Sequence, residues 1–109
     1  MHINIQSPGF TPKQDLINLV HAEVEKLSRM CGKMIGSEVC LRLDSSATKE
    51  NKMCTIRLFI PGNDLLASSQ YNKFEQAIAQ TIEALKRQIK KHKTKLTGRR
   101  DKIIKINKA

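Results

Sequence analysis

Tryptophan is absent from the chain, and three phenylalanines and one tyrosine are its only aromatic residues. A core without large rings has to be aliphatic, built from Ile, Leu and Val. Strands so poor in aromatics also argue against a stacking platform for single-stranded bases. Cysteine is sparse as well: Cys31, Cys40 and Cys54 are an odd number with no C-x-x-C spacing. They read as three reduced thiols in a cytosolic protein rather than as a disulfide framework. A metal site drawn from them and from His2, His21 and His92 would need ligands scattered along the chain, so no metal and no cofactor are expected. No apolar run approaches the roughly 20 residues of a membrane span. The opening "MHINIQSPGF" has neither the basic start nor the apolar stretch of a signal peptide. These absences point to a soluble, cytoplasmic protein without membrane attachment.

Catalytic constellations are missing too. Ser45-Ser46 and Ser68-Ser69 have no evident partner base, and no glycine loop could cradle a phosphate. Asp15, Glu23, Asp44 and Asp64 read as cap, surface or turn residues. Neither an enzyme nor a small-molecule substrate is expected.

What is present fits one domain of 109 residues. "HINIQ" alternates and reads as a strand. "TPKQ" reads as a helix start, with Thr11 as N-cap, Pro12 in the first turn and Gln14 closing a capping box. Leu16, Val20, Val24, Leu27, Cys31 and Met34 then form one apolar stripe, ending near Gly32 or Gly36. "EVCLRLD" puts Val39, Leu41 and Leu43 on one strand face. "MCTIRLFI" does the same with Ile56, Leu58 and Ile60. "PGND" turns the chain, and "LLASSQ" pairs back as a hairpin. The last helix starts near Asn72 and carries Phe74, Ile78, Ile82, Leu85 and Ile89 at helical spacing. The expected fold is α+β, in the order β-α-β-β-β-α: a two-layer sandwich with two helices on one face of a four-stranded sheet. Residues 1–95 form the domain, and 96–109 read as a basic, flexible C-terminal tail.

Charge supplies the strongest signal. Residues 1–85 hold nine Lys/Arg and nine Asp/Glu, which cancel; residues 86–109 hold eleven Lys/Arg and one acid, Asp101. The whole excess of +10 therefore lies in the last 24 positions. On a helical wheel, Lys86, Lys90 and Lys93 flank the apolar stripe, and Arg87, Lys91 and Lys95 lie about 100° further round. A helix C-terminus favours one or two cations through the macrodipole. Six in ten residues exceed that, and like charges at i,i+4 repel. Two rows of cations on a compact α+β domain fit phosphate and shape recognition of structured RNA. A membrane-surface helix would need an apolar face free of the sheet, and no helix-turn-helix or zinc-finger pattern is visible.

The segment "AIAQTIEALKRQIKKHKTK" resembles the second-helix signature of the ribosome hibernation promoting factor and ribosome-associated inhibitor family. Phe74, Ala77-Ile78, Leu85, Arg87-Gln88-Ile89, Lys91 and Lys93 fill its positions. "INIQSPGFTPKQDLINLVHAEVEKL" resembles that family's first strand and helix, with Lys26-Leu27 in the usual lysine-leucine position. The resemblance spans roughly residues 1–95 and implies a fold like the double-stranded-RNA-binding domain. It further implies a protein seated in the messenger and transfer RNA channel of the small ribosomal subunit. Such a protein inhibits translation and preserves ribosomes in stationary phase or stress. It would carry rRNA-binding roles onto Lys86, Arg87, Lys90, Lys91, Lys93 and Lys95, with Lys26 and Arg29 second. Where the family has an acidic residue and a Tyr before Ala-Ile, this chain has Asn72 and Phe74. The chain ends without the dimer-forming domain of the long members, so a monomer is expected. Two alternatives stay open: a structured-RNA-binding module not specific to ribosomes, and a protein-interaction module docking an acidic partner.

Overall fold

In the computed structural model, the described residues are 2–45 and 49–105, with side chains described as far as Lys91. Strand β1 (His2–Gln6) leads into helix α1 (Gln14–Cys31). Strands β2 (Gly36–Leu43), β3 (Lys52–Phe59) and β4 (Leu65–Tyr71) follow, and helix α2 (Phe74–Lys105) closes the chain. The sheet order is β1-β2-β3-β4. The first pair is parallel and the other two are antiparallel. The β-α-β-β-β-α order and two-layer α+β architecture match the expectation from periodicity.

The aliphatic stripes do the assembling. Leu16, Val20, Val24 and Leu27 of α1 and Ala77, Ile78, Ile82, Leu85 and Ile89 of α2 are buried with Val39, Leu41, Ile56, Leu58 and Leu65. Helix α2 packs over β3 and β4, and α1 packs against α2 and β1. Thr81 and Ser37 are the buried polar residues among those described; Thr81 is the one on α2. Its hydroxyl is shared between Ala77 O at 2.8 Å and Cys54 O at 3.3 Å, which ties α2 to the middle of β3.

Helix α1 starts two residues later than the Thr11–Pro12 reading. Lys13 is the N-cap, without a side-chain cap bond; Gln14 instead reaches forward to Asn18 at 3.0 Å. A long-range contact offers the reason. Phe10 stacks on Phe74 with centroids 5.0 Å apart, which fixes the loop before α1 and overrides the local capping signal. At the other end Gly32 takes φ 74° and donates its N–H to Ser28 O, closing the helix as a left-handed C-cap. Met34 is buried, but in the connection to β2 rather than in the helix. Leu43, expected on the buried face, is 45% exposed. Pairing of β2 with β1 ends at Cys40, so Leu43 lies past the end of β1. The backbone of α2 is continuous across the 95/96 boundary, where the sequence pattern separates domain from tail.

All three cysteines are free thiols. Burial pushes the Cys54 thiol from 9.0 up to about 12, an effect the Thr81 hydrogen bond partly offsets. The folded chain thus keeps this proton between pH 9 and 12 while the unfolded chain releases it. Stability is therefore expected to fall as pH rises through that window. Urea unfolding at pH 8 and pH 11 checks this, because the Cys54→Ala variant should lose less stability across the interval than the parent.

Candidate nucleic-acid interface

Strand directions fix where the cations gather. β1 and β2 run parallel and β2, β3 and β4 alternate, so β4 points the same way as β1. Each helix follows one of these two strands and runs back along the sheet. The helices are therefore parallel to each other, with their N-termini together, as the Phe10–Phe74 stack requires. Lys26 and Arg29 near the end of α1 accordingly sit at the same end of the molecule as the basic part of α2. At 1.5 Å per residue, α2 is about 48 Å long and α1 about 27 Å, so α2 overshoots its neighbour.

The candidate cations fall into two groups. Arg87, Lys90 and Lys91 are exposed, and among the described residues none of them makes an ion pair. Arg29 is exposed in the same way. Lys86 is half-buried and sits 3.2 Å from Glu83, one turn earlier on α2. Lys26 is likewise held 3.0 Å from Glu23. Both helices thus repeat one arrangement, an i,i+3 acid–base pair followed by unpaired cations toward the C-terminus. Lys93 and Lys95 lie on the α2 backbone, but their side chains fall outside the described residues.

Neutralised pairs contribute little to a phosphate-binding field, whereas unpaired cations on a fixed helix contribute fully. The strongest described part of the surface is therefore Arg87, Lys90 and Lys91. Leu85 and Ile89 hold it in place: both are buried under the same helix. Gln88, between two of these cations, has a structural task. Its amide donates to Leu66 O on the edge strand β4 at 2.9 Å, clamping α2 to the sheet. The Gln88→Ala variant should lose about 1 kcal/mol of stability while keeping its affinity for RNA. Thermal melts and a binding titration on the same sample check both halves.

Two further arginines have no counterpart among the candidates drawn from the sequence. Arg42 and Arg57 are exposed on the sheet face turned away from the helices. The strand alternation that buries Leu41 and Ile56 is the signal that would have found them. Among the described residues no cluster of His, Cys, Asp or Glu could hold a metal ion, and no helix is long and apolar enough to cross a membrane.

The comparisons with known proteins agree with this architecture. No curated protein matches the chain by sequence. The fold is similar to that of a ribosomal subunit interface protein from Coxiella burnetii, with TM-score 0.75 and 16% identity over 86% of this chain and 99% of that one. It is also similar to the N-terminal domain of Protein Y from Thermus thermophilus, with TM-score 0.72 and 18% identity over 84% and 99%. At these identities the structures establish the fold. The family follows from a sequence-family match over residues 3–97, which takes in α1, the sheet from Ile3 onward, and α2 as far as Thr97 with its cations up to Lys95. The chain belongs to the sigma 54 modulation protein / S30EA ribosomal protein family, whose members are non-catalytic, ribosome-associated factors.

Proposed function

We propose that this protein is a hibernation factor that occupies the messenger and transfer RNA channel of the small ribosomal subunit. There it blocks translation and preserves idle ribosomes in stationary phase or stress. The supporting observation is the unpaired cluster Arg87, Lys90 and Lys91, drawn from both rows of cations on one helix of a chain from this family. A cluster of fixed cations suits the phosphates of folded rRNA, which vary little with sequence but are exacting in position. Arg29 adds an exposed cation at the same end of the molecule, and Lys93, Lys95, Lys26 and Lys86 are the further contacts of this reading. The protein acts as a monomer in the cytoplasm, where its target is.

Sucrose-gradient profiles of stationary-phase cells with and without the gene test the physiological part. The protein should sediment with ribosomal particles, and its loss should hasten the decay of ribosomes during starvation. Profiles and ribosome survival unchanged by its loss would count against the proposal.

A further inference from the structure

Helix α2 runs on beyond the sheet that holds it. Its last described core residue is Ile89. The strands beneath it, β3 and β4, are eight and seven residues long and reach about 26 Å at most. From Phe74 to Lys91 the helix already spans about 27 Å. The turns from His92 to Lys105 therefore carry its backbone past the end of the sheet. The molecule accordingly measures 53 Å along its longest axis and 28 and 21 Å across. The family match stops at Thr97, so most of this overhang belongs to this chain rather than to what defines the family.

The composition of the overhang is that of a binding arm. Residues 96–109 hold Arg99, Arg100, Lys102, Lys105 and Lys108 against one acid, Asp101. At about 100° per residue, the helix positions of Arg87, Lys91, Lys95, Lys102 and Lys105 fall within about 80° of one another. The row that begins on the domain thus continues for about 27 Å, to the last turn of α2. Helix stability does not call for such a row. Like charges at i,i+4, as at Lys91 and Lys95 or Lys95 and Arg99, repel, and the macrodipole favours cations in the final turn alone. A line of like charges matches a partner whose own charges are strung along a line, and a nucleic-acid backbone is such a partner. A membrane surface fits less well: Leu96, Ile103 and Ile104 are too few to make an apolar face along the overhang.

We propose that the overhang of α2 is a second RNA contact, in which Lys102 and Lys105 continue the row of Arg87, Lys91 and Lys95 along one phosphate backbone. The proposal rests on the reading of this protein as an rRNA binder and gives that contact an extent and a direction. The domain supplies the first phosphate contacts, and the overhang follows the same backbone outward from the sheet.

The test compares full-length variants with the parent in filter binding to purified small ribosomal subunits over a salt series. Lys102→Gln/Lys105→Gln removes two cations of the row. It should bind about tenfold more weakly at 0.15 M salt, with a log–log salt slope lower by about 2. The exchange variant Lys102→Ile/Ile103→Lys/Ile104→Lys/Lys105→Ile keeps composition and net charge but moves both cations about 100° round the helix. It should lose as much affinity as the first variant. Arg87→Glu/Lys91→Glu is the control for the domain itself. If that control binds weakly while both overhang variants bind like the parent, the overhang contact is overturned and the domain reading stands. If the control also binds like the parent, both fall. An exchange variant that alone matches the parent would show that only total charge matters, which overturns the row. Polyglutamate that displaces the protein as well as transfer RNA does, charge for charge, would assign the row to an acidic protein and overturn the RNA contact.

Discussion

The Arg87→Glu/Lys91→Glu double variant should bind the small ribosomal subunit about 100-fold more weakly than the parent at 0.15 M salt, with an unfolding temperature within about 2 °C. The two halves of this expectation have one cause. Both side chains are exposed, and among the described residues neither has an ion-pair partner. No folded-state contact is lost on reversal, so stability has little to respond to. Affinity has much to lose, because each phosphate contact releases counterions and each removed cation should reduce the salt slope by about 1. Lys86→Ala and Lys26→Ala should be milder on binding, since each lysine already faces a carboxylate on its own helix. Filter binding over a series of salt concentrations separates these classes.

Leu85→Ala should act in the opposite way, costing about 3 kcal/mol of stability and lowering the melting temperature by more than about 10 °C. Leu85 is fully buried between the two helices and the sheet, and it lies two residues before Arg87. Truncation leaves a cavity that the neighbouring Ile82 and Ile89 cannot close from a rigid helix. Well below the new melting temperature, however, the cations are still presented, and subunit affinity should change less than threefold. Circular dichroism melts together with binding at 10 °C check this. The pair of variants divides α2 into a face that holds the fold and a face that meets the partner.

That division is legible in the amino-acid sequence, because it depends on helical period alone. The stripe Ile78, Ile82, Leu85 and Ile89 and the exposed Arg87 and Lys91 are separated by the wheel, and the folded chain keeps them so. Strand faces are legible from their own period of two, from Val39 and Leu41 to Ile56 and Leu58. What escapes is set by contacts between distant parts of the chain. The start of α1 depends on Phe10 meeting Phe74, and no capping rule contains that contact. Leu43 is exposed because β1 stops short of it, which is a matter of pairing length rather than of pattern. That His2, Gly36 and Phe59 share one row is decided by strand pairing between distant parts of the chain. The Glu83–Lys86 pair has a spacing that sequence can show, but it straddles the edge of the basic segment, where its two members look like separate charges.

Co-sedimentation with purified small subunits, with transfer RNA and double-stranded RNA as competitors, tests the central claim most directly. The protein should pellet with the subunits at moderate salt, be displaced by transfer RNA, and lose affinity with a log–log salt slope of several units. Equal affinity for bulk double-stranded RNA and for subunits, or a flat salt response, would contradict it.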